Sequence, residues 1–305
     1  MKRSSGIVVT VAVAVAVAAL YVTSPLSAQS NGPGAAGSGT VERLYILNGG
    51  LGHSGNLNSW ANMMVPPGTP VDIGAPAHLI KHARGWMLFD TSTNDIISTM
   101  PNGFGTAAGA IRWTKTQAQT LPPQLKAIGI TPADIKYIGI SHNHADHTGN
   151  VHMFPNSIVL IQRREYDQAF ANGAAPAGPP NFAGQIFPRN HPVSLLDGDY
   201  DVFGDGSVVL FYTGGHTQGS QVALVRLPKT GYVLLSGDAV HLQSNWDNRR
   251  IPRLQAANEE NEWAERVWLA FNRIEHLMGF YKAQLWIHHD VEQYKKMKYA
   301  PEYYE

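Results

Sequence analysis

The chain has 305 residues, 44% of them hydrophobic and 15% charged, enough apolar material for a sizeable core in one large domain or two small ones. Lys plus Arg and Asp plus Glu both total 23, so there is neither a global basic field for nucleic acid nor an acidic tail. The absence of Cys excludes disulfides, thiolate nucleophiles and Cys-based zinc sites, which leaves His and carboxylate for any transition-metal chemistry.

Lys2 and Arg3 precede an apolar run from Gly6 to Val22 and then "TSPLSAQSNGPGAAGSG", the charged, apolar and small-residue regions of a secretory signal peptide. Cleavage is expected after Ala28, which removes residues 1–28 and places the protein in a periplasm or outside the cell. The competing reading is an uncleaved membrane anchor, because the apolar run is only just short of a spanning helix; after cleavage no stable membrane association is expected. Residues 29–40 are Gly/Ala/Ser-rich and read as a flexible lead-in, so the folded domain is expected over 41–305.

Within that domain "VERLYILN", "HLIKHARGWMLFDT", "IKYIGISH", "SIVLIQ", "VVLFYT", "QVALVRL" and "GYVLLSGD" are predicted strands, rich in Val, Ile, Leu and Tyr. "TPADIK" reads as a helical start capped by Thr131. "ANGAAPAGPPNFAG" reads as a long loop that lines a pocket. Lys229, Thr230 and Gly231 join two strands as a hairpin turn. "EENEWAERVWLAFNRIEHLM" sets Trp263, Val267, Phe271, Ile274 and Met278 at helical spacing, a core-facing stripe expected to end before Gly279. A last strand, "AQLWI", runs into "HHD". Strands on both sides of scattered helices indicate an α/β or α+β sandwich.

In "GISHNHADHTGN" three imidazoles and a carboxylate, His142, His144, Asp146 and His147, fall within six positions directly after a predicted buried strand. In extended chain His142 and His144 project to one side and can share a cation, while Asp146 and His147, beyond the turn, can reach a second. A lone His is more often a hydrogen-bonding polar residue than a ligand, but four candidate ligands so close together reverse that balance. Further candidates sit at other strand ends: His216 after "VVLFYTGG", Asp238 after "YVLLSG", and the pair His288–His289 after "AQLWI". These residues, with one of the final pair, would hold two divalent ions with one carboxylate bridging. Imidazole and carboxylate together suit zinc foremost, with iron, cobalt or manganese as alternatives.

"HNHADH", "GGHTQGS", "LLSGDAV" and "HHDVEQ", in this order, resemble the metallo-β-lactamase superfamily, and "DGDYDVFGDGSVVLFYTGGHTQGS" and "VRLPKTGYVLLSGDAVH" resemble its N-acyl-homoserine lactonase branch. The resemblance implies a four-layer αββα sandwich with the metals at one edge of the sheets. It also implies that His142, His144 and His216 bind one ion, that Asp146, His147 and His289 bind the other, and that Asp238 bridges. His289 is preferred over His288 because the family's last ligand immediately precedes an Asp, here Asp290; alternation separately says that only one of the pair faces the site.

The implied reaction is opening of a lactone ring, most readily that of N-acyl-homoserine lactones, which is quorum quenching. A metal-bridging hydroxide would attack the carbonyl, and Asp146 or Asp238 would carry a proton to the leaving alkoxide. The partner is then a small lactone or ester, with no nucleic acid, and the branch implies a homodimer. Trp60, Met63, Met64, Phe104 and Phe182 are candidates for the acyl tail, although each is more often core.

Asp238 argues against β-lactamase activity, since those relatives usually carry Cys or Ser there. Neutral charge gives no support to a nuclease, and the thioesterases that share the bridging Asp need basic residues for glutathione and work where glutathione is abundant. A phosphotriesterase of the same fold and a non-catalytic metal-binding protein stand as alternatives. Three departures from the branch matter. His241 stands where it often has a carbonyl-polarising Tyr, and reads either as a donor to the substrate or as a surface or supporting residue. Gly214 stands where it often has Pro, which is expected to loosen that loop. Asp90 matches a strand-end Asp that orients ligands, and reads equally as a turn cap.

Overall fold

The computed structural model describes residues 40–105, 111–170, 187, 189–252 and 262–305. The expected signal peptide, nearly all of the lead-in, the "ANGAAPAGPPNFAG" loop with Phe182 and the side chain of Trp263 lie outside the described residues.

Two sheets face each other. The first is six-stranded, in the order β1 (Val41–Leu47), β4 (Ala77–His82), β5 (Gly85–Phe89), β8 (Ile135–Gly139), β9 (Ile158–Gln162) and β10 (Val193–Leu196). The second is five-stranded: β11 (Tyr200–Asp201), β12 (Val208–Tyr212), β13 (Gln221–Leu227), β14 (Gly231–Leu235) and β15 (Gln284–Trp286).

Period-two alternation explains how these apolar strands serve two cores at once. In β13, Ala223, Val225 and Leu227 pack between the sheets with Met87 and Phe89 of β5, while Val222 and Leu224 point to the outer side. There they meet Val267, Phe271 and Ile274 of a long helix, α5 (Glu262–Tyr281). On the far side of the first sheet, Leu88, Ile138 and Val159 pack against Leu121 and Leu125 of α2 (Leu121–Ile128) and Phe170 of α4 (Arg163–Phe170). Helix, sheet, sheet, helix is the four-layer αββα sandwich of the metallo-β-lactamase fold. Each fully buried Val, Leu, Ile or Phe contributes roughly 1.5–3 kcal/mol.

The structure revises several sequence expectations. "HLIKHARGWMLFDT" is two antiparallel strands, β4 and β5, folded back at Ala83 and Arg84. The long helix passes through Gly279 and stops at Tyr281, where Lys282 takes the left-handed conformation (φ 54°). "TPADIK" forms only a single 3-10 turn, Pro132–Asp134, closed by a Thr131–Asp134 capping box.

Two eight-residue helices among the described residues, α2 and α4, escaped the sequence reading, as did several shorter ones. Of these, α2 carries Pro at its start and Gly129 at its C-cap (φ 87°), both ordinary helix punctuation. A four-stranded sheet was also not anticipated: β3 (Val71–Gly74), β2 (Leu51–Ser54), β7 (Arg112–Thr114) and β6 (Phe104–Gly105). Its strands are short and rich in Gly and polar residues, so they carry little apolar period. With α1 (Leu57–Ala61), this sheet builds a separate apolar cluster around Ile73, Trp113 and Leu242.

Candidate metal centre

Because β5, β8 and β9 are mutually parallel, and β12 and β14 run the same way on either side of β13, the carboxyl ends of strands from both sheets come together at one edge. Asp90 follows β5, His142 follows β8, His216 follows β12, Asp238 follows β14, and His288–His289 follow β15. His144 caps and Asp146 and His147 occupy one short helix, α3 (Ala145–Thr148). The sheets are stitched together at this edge where Gln221 N donates to Ser141 O (2.9 Å).

Asp238 is buried at the middle, and its two oxygens face different neighbours. Oδ2 lies 3.3 Å from His216 Nε2 and 3.7 Å from His142 Nε2, while His144 Nδ1 is 3.0 Å from His216 Nε2. Oδ1 lies 3.1 Å from His147 Nε2 and 3.0 Å from His289 Nε2. Those two nitrogens are 3.7 and 3.6 Å from Asp146 Oδ2.

His142, His144, His216 and Asp238 thus form one group with convergent ligand atoms, and Asp146, His147 and His289 form another. His142 Nε2, His147 Nε2, His289 Nε2 and Asp238 Oδ1 are buried without a hydrogen-bond partner. Four such atoms aimed at each other are costly unless something satisfies them, and a pair of divalent cations fits this donor set.

The far sides of the rings are fixed. His147 Nδ1 donates to Asp90 Oδ2 (2.9 Å), and Asp90 Oδ1 accepts from Ser141 N (2.7 Å). Asp90 is therefore an orienting carboxylate and not a turn cap. Its left-handed backbone (φ 59°), unfavourable for a residue other than Gly, is held by these bonds. His289 Nδ1 donates to Gly74 O (2.6 Å). His288 points the other way, stacked on the His147 ring at 4.2 Å with Nδ1 3.9 Å from Asp90.

Burial pushes the imidazoles of His142 and His216 well below their ordinary value, and His144, packed among protein atoms although one edge is exposed, is also lowered. Neutral imidazole is the form that ligates. Burial acts the same way on His147 and His289, but Asp238 with its neighbouring carboxylates outweighs it and raises both. Against its own burial, the surrounding imidazoles of His289, His147, His241 and His142 hold Asp238 well below the usual carboxylate range.

His241 is 3% exposed, with Nε2 3.4 Å from Asp238 Oδ2 and its ring 4.9 Å from that of His216, so the surface reading fails. Trp60 packs its indole 5.8 Å from His241 and 5.9 Å from His289. Met63 and Phe104 join the apolar cluster of the small sheet, whereas Met64 is 79% exposed.

Nor is the His216 loop loosened by Gly214. Its φ of 60° is closed to Pro, which is locked near −65°. Thr213 N and Gly214 N both donate to Ser220 O (2.9 Å each), which closes the loop around His216.

Residues 72–269 match the model of the metallo-beta-lactamase superfamily, a span that includes every candidate ligand except the His288–His289 pair. The chain belongs to that superfamily. It is 32% identical over 277 residues to the N-acyl homoserine lactonase AttM of Azorhizobium caulinodans, covering 86% of this chain and 98% of that protein. It is 31% identical over 266 residues to the N-acyl homoserine lactonase of Bacillus cereus, covering 87% and 99%. Among solved structures it is similar, with a TM-score of 0.72 and 25% identity over 87% of this chain and 99% of the other, to an N-acyl homoserine lactone hydrolase with N-hexanoyl-L-homoserine bound at its catalytic metal center. The dizinc lactonase AidC, 18% identical with a TM-score of 0.54, shares the fold.

Proposed function

We propose that this chain is an exported, dinuclear metal-dependent hydrolase that opens the ring of N-acyl homoserine lactones. The observation that carries the reading is Asp238, whose oxygens face two separate ligand groups in a chain similar over most of its length to N-acyl homoserine lactonases. His142, His144 and His216 would hold one divalent ion and Asp146, His147 and His289 the other, with Asp238 shared and zinc the foremost candidate. Bound there, the pair supplies Lewis-acid polarisation and lowers the pKa of water toward neutrality.

The protein's own groups do the rest. Asp90 and the Gly74 carbonyl fix the rings of His147 and His289 so that each turns Nε2 inward. The wall made by partly buried Trp60 and buried His241 limits water. His241 donates to the substrate carbonyl oxygen as negative charge builds on it. Asp146 stands beside His147 and His289 on the partly exposed side of the centre, placed to deliver a proton to the leaving alkoxide, a role it shares as a candidate with Asp238.

The deciding experiment is a hydrolysis screen of the zinc- or cobalt-loaded protein against acyl-homoserine lactones of varied tail length, simple lactones, a phosphotriester and a β-lactam. Lactones should be turned over fastest. Turnover of the phosphotriester alone would make the chain a phosphotriesterase of the same fold, and turnover of nothing would leave a metal-binding protein. Export is supported by the N-terminal pattern, and sequencing the mature protein should find Gln29 first. Sedimentation of the loaded protein should give the homodimer that the resemblance implies.

A further inference from the structure

Glu165 lies on α4, outside both ligand groups, and its side chain is fully buried (0% exposed). A carboxylate in such a place is costly unless its oxygens are satisfied, and here both are. Oε1 accepts from the backbone N–H of Asn143 (2.8 Å). Oε2 accepts from the Thr217 hydroxyl (2.7 Å) and the Gly219 N–H (2.9 Å).

The identity of those donors is what matters. Asn143 stands between His142 and His144, and Thr217 directly follows His216. One side chain therefore joins the two loops that carry all three imidazoles of the first group. The Thr217 and Ser220 hydroxyls are 2.7 Å apart and Thr217 N donates to Ser220 Oγ (2.9 Å), which continues the connection into the turn that encloses His216. Gly219 permits it: a Cβ there would overlap the backbone and Cβ of Glu165. The second group is supported differently, by Asp90 and a backbone carbonyl on its own rings.

We propose that Glu165 is a positioning residue that sets the spacing of His142, His144 and His216 and so controls cation affinity in that half of the centre alone. It reaches no reacting atom. Its carboxylate is in direct hydrogen-bond contact with both loops, behind the three imidazoles.

The proposal rests on the dinuclear reading, and its test separates the two. Zinc is titrated calorimetrically into metal-free full-length chain in two backgrounds: His289→Ala, which reports the first half, and His216→Ala, which reports the second. Glu165→Gln is isosteric, but its amide nitrogen places a donor against Asn143 N–H or Gly219 N–H. It should weaken zinc binding about 10–100-fold in the His289→Ala background, the usual effect of losing a ligand's supporting hydrogen bond. In the His216→Ala background it should change affinity by less than about threefold, within the noise of that same comparison.

Equal weakening in both backgrounds would mean general loosening, and no weakening in the first would mean no role; either overturns the proposal. Thr217→Val removes one donor with little change in volume and should give the same selective pattern at smaller size, which decides the matter if Glu165→Gln does not fold. Should the His289→Ala protein still take up two zinc ions, the assignment of His289 to the second ion is at fault and not the role of Glu165.

Discussion

The two halves of the centre share Asp238 but are built on different supports. His142, His144 and His216 ride on loops, their imidazoles held below the ordinary value because burial outweighs the carboxylates near them, and their spacing is held from behind by Glu165. His147 and His289 are braced ring by ring, through Asp90 and Gly74 O, and three carboxylates surround His147 so closely that positive charge is favoured there whatever supplies it. Ser141 Oγ lies 3.1 Å from His142 Nδ1, so the first half has ring contacts too. Its donors nevertheless sit on two separate loops and need a clamp to stay convergent, whereas His147 and His289 are braced on pairing strands and a helix.

The strongest way to break this comparison is to remove what the halves share. Asp238→Ala should leave fewer than two ions per chain by elemental analysis and reduce lactone turnover beyond the ~10–100-fold that losing a supporting hydrogen bond costs. Retention of two ions at the parental rate would exclude the bridge. Next, His289→Ala should lose the second-half ion, while His288→Ala should keep both ions and lose roughly 2–4 kcal/mol of stability from the vacated space against His147. The reverse metal contents would show that the wrong member of the pair has been assigned.

A smaller effect probes the gap between the halves. His241→Phe should lower kcat by about one to three powers of ten with both ions present, and His241→Tyr should restore much of it. Unchanged kcat in His241→Phe would leave carbonyl polarisation to the ions alone.

The mildest test concerns the wall behind the second half. His78, fully buried with Nε2 2.9 Å from the Tyr294 hydroxyl, is pushed by burial from its ordinary 6.5 down to about 3. Its folded-state pKa is the lower one, so the unfolded chain binds the extra proton between pH 6.5 and 3 and stability falls as pH drops through that window. By pH 5 the cost is about 2 kcal/mol. His78→Gln keeps a group able to bond Tyr294 and should lose correspondingly less stability between pH 7 and 5 in urea unfolding of the metal-free protein. Equal losses would place the acid sensitivity elsewhere.

What could be read in the residue order and what could not follow a physical division. Apolar runs such as "QVALVRL" and "YVLLSG" declare buried strands because period two is a local property, and ligand-type residues directly after them declare a site because strand ends are where a layered fold exposes chemistry. The cluster His142, His144, Asp146 and His147 and the strand-end positions of His216, Asp238 and the His288–His289 pair were legible on that basis, and the superfamily match agrees with the fold they imply.

Glu165 was not legible. In "RREYDQAF" it looks like any polar residue on an exposed helix, and only the packing of α4 under two distant loops makes it fully buried. The small sheet behind His289 was hidden for the opposite reason, since its short Gly-rich strands have no apolar period until Ile73 and Trp113 meet across it. Asp90 could be read two ways until β5 and β8 were paired and brought its carboxylate to His147. Sequence alone determined which side chains could do the chemistry, because residue type and local period are written in the order. Tertiary structure decided which of them converge and what holds them there, because convergence depends on contacts between residues far apart in the chain.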